Sequence, residues 1–310
     1  MSSIEGAMHR KKKAEQKKGA GQSSPSDHAG ASEAAHRDGN EERQSAVPTT
    51  GHSREAAAGS ALDGPELRID FHRLRQAGMV PPTAMEERIS NEYRRIKRPL
   101  VNNATGRGAV QVPHGNIVML TSSVPGEGKT FTALNLALSL ARDPDFSVTL
   151  VDGDTARRDL SHLLGVSQQP GLLDLLADSS LAVRDFVMPT NVDQLSVLSS
   201  GSHHELTEEL FSSQRMTDLM ALLGNATPNH IILFDTPPVL AAPEAVTLSY
   251  HMGQILLVVK ASSTRQDQVI TALDQLDQDK AINMVLNQSL GGPGGDKYGG
   301  YYGYEYGQDR

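Results

Sequence analysis

Lys129 and Thr130 close the stretch Thr121-Ser122-Ser123-Val124-Pro125-Gly126-Glu127-Gly128-Lys129-Thr130, which joins one apolar run, Ile117 to Leu120, to a second that begins at Phe131. A glycine-rich turn between a strand and a helix gathers backbone N–H groups at the helix N-terminus, where they converge on phosphate oxygens. In that setting Ser123, Val124, Pro125, Gly126, Glu127, Gly128, Lys129 and Thr130 form the expected phosphate cradle, with Lys129 adding charge and Thr130 offering a hydroxyl to Mg²⁺. The strict G-x-x-x-x-G-K-[ST] pattern would place glycine at position 123; this chain has serine there.

Carboxylates follow two further apolar runs: Asp152-Gly153-Asp154 after Val151, and Asp235-Thr236-Pro237-Pro238 after Phe234. Phosphoryl transfer leaves little covalent work to a protein, which must hold the phosphates and metal while an acceptor is aligned with the γ-phosphorus. Asp235 suits the metal's water shell. Asp152 and Asp154, two apart after a strand, project to one side, so that one acid serves the acceptor's proton and the other the metal. The expected catalytic set is therefore Lys129, Asp152, Asp154 and Asp235, and the expected Mg²⁺ set is Thr130, Asp154 and Asp235.

The elements that must position these residues alternate along the chain. Strands are predicted at Ser147 to Val151, Leu195 to Leu198, Ile231 to Phe234, Ile255 to Val259 and Ile282 to Leu286, and a helix at Glu205 to Leu223. Thr264 with Asp267 is read as capping a helix that bears Val269, Leu273 and Leu276. Short continuous apolar strands separated by helices indicate a parallel sheet covered on both faces, which binds ligands at the carboxyl ends of its strands. Before the loop, Leu67, Ile69, Phe71 and Leu74 suggest a short docking segment. Thr83 and Glu86 have capping-box spacing for a helix over 83–98, ended by Pro99. That helix carries Glu92, Arg95 and Arg98 in a dense charge run, which sequence physics leaves as a solvated face. Asn287, after the last strand, is either a contact to a base edge or an ordinary strand-ending residue.

Composition sets the outer limits. Residues 1–65 are read as a disordered, partly basic segment, residues 66–288 as the folded domain and residues 289–310 as a flexible tail. The first 60 residues contain no aromatic residue and no leucine, too little apolar surface to offset the entropy of ordering them. Arg10, Lys11, Lys12, Lys13, Lys17 and Lys18 there would meet acidic lipid or nucleic acid, or simply water. A formal net charge of −8 argues against a nucleic-acid partner for the chain as a whole. No apolar run approaches the roughly 18 residues of a membrane span, so a cytoplasmic location is expected. The absence of cysteine excludes a Cys-ligated cluster. The tail is rich in glycine and carries Tyr298, Tyr301, Tyr302, Tyr304 and Tyr306, five of the seven tyrosines. A tyrosine hydroxyl is mostly protonated at neutral pH and needs a nearby carboxylate to attack.

These residues together resemble the bacterial tyrosine autokinases, whose members modify their own C-terminal tyrosines. The resemblance covers about residues 66–310 and rests on the loop 123–130, on Val151-Asp152-Gly153-Asp154 with Arg157, on Phe234-Asp235-Thr236-Pro237-Pro238 and on the tyrosine tail. Tyr93 to Leu100, His251-Met252-Gly253-Gln254 and the opening Met1-Ser2-Ser3-Ile4-Glu5 are similar to the exosortase-associated subgroup. The resemblance implies a three-layer P-loop fold with a deviant Walker A loop, of the class that also holds MinD- and ParA-like ATPases. It implies ATP and Mg²⁺ as cofactors and phosphorylation of Tyr298 to Tyr306 between subunits. It further implies a ring-like homo-oligomer with Glu92, Arg95 and Arg98 at the contact, and a membrane polysaccharide co-polymerase as activating adaptor. A tyrosine phosphatase, recruitment to the inner face of the membrane and a role in exopolysaccharide synthesis complete what it implies. One departure is that the family usually places proline where Arg158 stands. The rival reading is a MinD- or ParA-type switch ATPase, whose loop carries an extra lysine near its start; Ser122 and Ser123 occupy that region here.

Overall fold

The computed structural model of the chain describes residues 65–225 and 229–289. At its centre lies β1 (Ile117–Ser122), buried along its whole length. Period two divides its side chains: Ile117 and Met119 enter one core, Val118 and Leu120 the other. β5 (His230–Asp235) divides in the same way, with Ile231 and Leu233 on one face and Ile232 and Phe234 on the other. Strands apolar on both faces are stable only with helices above and below.

The remaining strands are β2 (Ser147–Asp152), β3 (Met188–Pro189), β4 (Leu195–Leu198), β6 (Gln254–Lys260) and β7 (Ala281–Asn287). They form one seven-stranded sheet in the order β3-β4-β2-β5-β1-β6-β7. All neighbours are parallel except the short β3–β4 pair, which is antiparallel. Register then brings the chemistry together, because Asp235 is the cross-strand partner of both Leu120 and Asp152. The carboxyl ends of β1, β2 and β5 therefore lie side by side, as expected of such a sheet.

The docking segment forms. Leu67 N donates to the Pro189 carbonyl at 2.8 Å and Ile69 N to Asn191 Oδ1 at 2.8 Å, which adds the segment to the outer end of the sheet. Asp70 then caps α1 (Phe71–Gln76) by accepting from His72 N and Arg73 N, and Ile69 and Leu74 are buried.

The next helix differs from expectation at both ends. Thr83–Met85 is a 3-10 turn, and α2 (Glu86–Ala104) begins after it with no side-chain cap, since Met85 stands at its N-cap, while the Glu86 carboxylate pairs with Arg75. Pro99 does not end the helix; α2 runs through it to Ala104. Proline removes one helical hydrogen bond, yet the flanks are held: Lys97 Nζ donates to the Ser139 carbonyl at 3.2 Å, and the Leu100 carbonyl accepts from Gln254 Nε2 at 3.0 Å. Leu100 itself is buried in the core.

After the loop comes α3 (Lys129–Ala141), whose Ala133, Leu134, Leu136, Ala137 and Leu140 are all fully buried. Short helices α4 (Asp159–Leu164) and α5 (Leu172–Ala177) follow β2. The single helix expected at 205–223 is two, α6 (Thr207–Phe211) and α7 (Gln214–Gly224), because Ser213 Oγ accepts from Met216 N and starts a new N-terminus. Next in order come α8 (Pro243–Ser249), absent from the sequence reading, and α9 (Gln266–Gln275). The Thr264 hydroxyl does not cap α9; it donates to Glu127. Among the described residues no helix is long and apolar enough to cross a membrane.

Candidate active site

Between the end of β1 at Ser122 and the start of α3 at Lys129, the chain turns through two left-handed glycines, Gly126 at φ 82° and Gly128 at φ 92°. Gly128 is required twice over, since an added Cβ would also collide with the side-chain amide of Asn287. Gly128→Ala is expected to weaken nucleotide binding about tenfold, through a left-handed penalty of about 1–2 kcal/mol and a displaced Asn287. Titration with a fluorescent ADP analogue checks this, and an unchanged affinity would mean that the loop accommodates the methyl.

Glu127 is 1% exposed, and its carboxylate bridges the cradle itself to the segment that follows β6. Oε2 accepts from Val124 N at 2.7 Å; Oε1 accepts from Lys260 N at 3.1 Å and from the Thr264 hydroxyl. Asn287 Nδ2 donates to the Glu127 carbonyl at 2.8 Å while its Oδ1 accepts from Gln288 N at 2.9 Å. The loop is thereby fastened to the carboxyl ends of β6 and β7. Asn287 spends one amide N–H on that fastening, and its oxygen on the neighbouring Gln288 N.

Lys129 and the acids meet beneath the loop. Lys129 Nζ lies 2.9 Å from Asp154 Oδ2, both side chains nearly fully buried. Burial alone would push the Lys129 ammonium down, but the charges of Asp235 and Asp154 together outweigh it and its pKa stands above the ordinary value. Asp154 Oδ1 accepts from Arg157 N at 3.2 Å. Asp152 is fully buried, and burial raises it to about 6 against hydrogen bonds from Ser161 that pull the other way. Its Oδ2 accepts from Ser161 N at 2.8 Å and Ser161 Oγ at 2.6 Å, and its Oδ1 from Asp154 N at 3.2 Å.

Asp235 is also fully buried, and burial raises it to about 7 despite the nearby Lys129 charge and the Thr130 hydroxyl. Neither of its oxygens has a donor in good hydrogen-bond geometry, and neither does Ser123 Oγ. Buried polar atoms left in this way are rare in folded proteins and carry a desolvation cost. Here they face a left-handed glycine turn at the N-terminus of a 13-residue helix. That combination fits a magnesium-bound nucleoside triphosphate: N–H groups and Lys129 for the phosphates, Thr130, Asp154 and Asp235 for the cation. Among the described residues no three His, Asp or Glu side chains form a protein-only cage, and Mg²⁺ needs none, since it keeps several waters and binds through one or two carboxylates.

Glu92, Arg95 and Arg98 lie on the exposed side of α2, with Glu92 bonded to Arg88 one turn earlier at 3.3 Å. The tail tyrosines 298–306 lie outside the described residues, as does the basic stretch 10–18. Missed by the sequence reading were Ser161 and Ser200, whose hydroxyls sit fully buried behind Asp152. A serine on a short helix and another after a strand carry no pattern that marks them.

No family profile matches the chain. The tyrosine-protein kinase wzc of Salmonella typhimurium is 30% identical over 203 residues, 65% of this chain and 28% of that relative. The tyrosine-protein kinase CpsD of Streptococcus pneumoniae serotype 4 is 31% identical over 181 residues, 56% of this chain and 75% of that relative. The solved VpsO kinase domain superposes with a TM-score of 0.51 at 31% identity, over 64% of this chain and 98% of that one. The kinase domain of the Escherichia coli tyrosine kinase ETK gives a TM-score of 0.52 at 26% identity, over 63% of this chain and 73% of that one. The chain thus spans under a third of the length of the Salmonella relative and nearly all of the VpsO kinase domain. With the loop, the paired acids and the sheet order all in place around that shared region, the chain belongs to the family of bacterial tyrosine-protein kinases.

Proposed function

We propose that this protein is an ATP- and Mg²⁺-dependent tyrosine autokinase that phosphorylates its own tail, at Tyr298, Tyr301, Tyr302, Tyr304 and Tyr306, between neighbouring subunits. The observation that supports it most is the buried set of Lys129, Asp154, Asp235 and Asp152 under a glycine turn, with Asp235 lacking a hydrogen-bond donor in good geometry. Bound Mg²⁺ would draw charge off the phosphates as the bond to the leaving group breaks. Lys129 holds phosphate oxygens against the loop N–H groups, and Thr130, Asp154 and Asp235 hold the cation's shell. Asp152 takes the proton from the tyrosine hydroxyl, whose oxygen forms the new bond to phosphorus while ADP departs. A raised carboxylate is a better acceptor for a phenolic proton than an ordinary one.

The same reading assigns Glu92, Arg95 and Arg98, exposed on α2, to contacts between subunits of a ring-like homo-oligomer, since spaced charges fix register. It takes a membrane polysaccharide co-polymerase as activating adaptor, a tyrosine phosphatase as antagonist and exopolysaccharide export as the process served. Membership in the exosortase-associated subgroup and a place at the inner face of the membrane belong to the same proposal.

Incubation with Mg·ATP followed by phosphosite mapping tests it, beside a chain truncated after Gly292. Phosphate on the tail tyrosines of the full chain and none on the truncated chain is the expected result. Steady ADP release with unmodified tyrosines, repeated in the presence of the adaptor's cytoplasmic segment, would make the protein a switch ATPase instead.

A further inference from the structure

Arg158 immediately precedes α4 at φ 56° and ψ 31°, in the left-handed region. Residues other than glycine keep this conformation only where the surroundings hold them in it. Proline, fixed near φ −65°, is unable to adopt it, so this turn depends on the residue that stands here. What the turn achieves is the placement of a guanidinium. Arg158 Nε donates to Ser200 Oγ at 2.9 Å, and Nη2 donates to the Ser167 carbonyl.

The bonds continue inward. Ser200 and Ser161 are 0% and 1% exposed. Ser200 N donates to Ser161 Oγ at 3.2 Å, and the two hydroxyl oxygens are 3.4 Å apart. Ser161 Oγ and Ser161 N both donate to Asp152 Oδ2, at 2.6 and 2.8 Å. Donor accounting sets the direction. Ionised Asp152 only accepts, so the Ser161 hydroxyl proton is spent on it and Ser161 Oγ is left to accept from Ser200. Arg158 only donates, so Ser200 Oγ accepts from it and turns its own proton toward Ser161. Every proton in the line points from Arg158 to Asp152.

We infer that Arg158, acting through Ser200 and Ser161, is a positioning residue that fixes the carboxylate of Asp152 for proton transfer from the attacking hydroxyl. The inference rests on the proposed kinase reading, in which Asp152 accepts that proton. With Oδ2 pinned by two donors and Oδ1 by the Asp154 N–H, the carboxylate has one orientation, and a lone pair of Oδ1 remains for the proton. A permanent cation at the outer end polarises each hydroxyl along the line. The line leaves the loop after β2 at Arg158, passes through Ser200 on the segment after β4 and returns to the end of β2 at Asp152, so it also holds those two segments in register. The Arg158 bonds go to Ser200 and Ser167, not to the loop at 123–130, so the device should govern rate rather than nucleotide affinity.

The test compares the full chain with Arg158→Ala, Ser200→Ala, the double variant and Arg158→Lys. Three quantities are measured on each: turnover at saturating Mg·ATP, affinity for Mg·ADP, and Tm. Each alanine variant should lose about tenfold or more in turnover while its Mg·ADP affinity stays within about twofold. The double variant should fall no further than the more impaired single, because both cut one line. Arg158→Lys, which keeps the charge and a donor, should recover part of the rate. Turnover of Arg158→Ala within about twofold of wild type, or losses that multiply in the double variant, would overturn the inference. So would losses matched by falling affinity and Tm. If Arg158→Ala does not fold, Ser200→Ala alone decides by the same criteria. If the wild-type chain releases ADP without labelling tyrosine, the kinase reading fails, and the comparison made on ADP release still decides the role of Arg158.

Discussion

Lys129→Met is expected to lower phosphoryl transfer by at least about 10²–10³-fold, the usual loss when a preorganised group facing developing charge is removed. It should also destabilise the nucleotide-free protein. Methionine roughly preserves the volume of lysine, so the change isolates the charge. In the folded chain that charge is nearly fully buried, 2.9 Å from Asp154 and close enough to Asp235 to stabilise it. Removing one partner of a buried pair leaves the other uncompensated, at a cost of about 3–5 kcal/mol. For a domain of this size that corresponds to a Tm lowered by roughly 6–20 °C. Calorimetry of the two proteins at pH 8 without nucleotide makes the comparison. Equal Tm values would mean that the acids carry too little charge in the folded state to need the lysine, and the electrostatic account of the site would have to be withdrawn.

How far the sequence reaches is clearest at this cluster. The strand ends that carry Asp152 and Asp235 were legible because three short apolar runs each finish in a polar residue, and only a parallel sheet aligns such ends. The loop was legible because glycine spacing before Lys129-Thr130 has few other uses. The limits appear where tertiary contacts override a local signal. Pro99 is a helix breaker by propensity, yet α2 continues because Lys97 and Leu100 are anchored on either side of it. Thr264 has the type and spacing of a cap, yet its hydroxyl is claimed by a buried carboxylate far away in sequence. Glu127 falls within the consecutive residues of the phosphate cradle, yet its side chain ties the cradle's Val124 N to Lys260 N at the end of β6, a link no local pattern announces. Ser161 and Ser200 carry no local pattern at all, because their meaning arises only when β4 is laid beside β2.

Asp235→Asn is expected to do the opposite of Lys129→Met for stability while also removing activity. Asp235 is fully buried and lacks a hydrogen-bond donor in good geometry, so burial holds its folded pKa at about 7 against an unperturbed 3.8. Between those values the folded chain holds a proton that the unfolded chain has released. The folded state therefore binds more protons, and stability falls as pH rises through that window, by an amount on the order of a few kcal/mol once both limits are passed. Below about pH 4 the term is fully present; above about pH 7 it is lost. Asparagine carries no ionisable proton and is nearly isosteric, so the variant should match wild type near pH 4 and exceed it in Tm near pH 8. The same substitution withdraws a carboxylate from the proposed magnesium set. Wild type should gain Tm with Mg·ADP, more at pH 8 than at pH 6, because the cation must displace the proton on Asp235. The variant should gain little at either pH and should transfer phosphate about 10²-fold or more slowly. A variant less stable than wild type at pH 8 would show that ionised Asp235 is held favourably by Lys129 after all, and the site would then be built for the charged acid before any metal arrives. The predicted order, a more stable but inactive variant, is what a functional carboxylate kept in an unfavourable place should give.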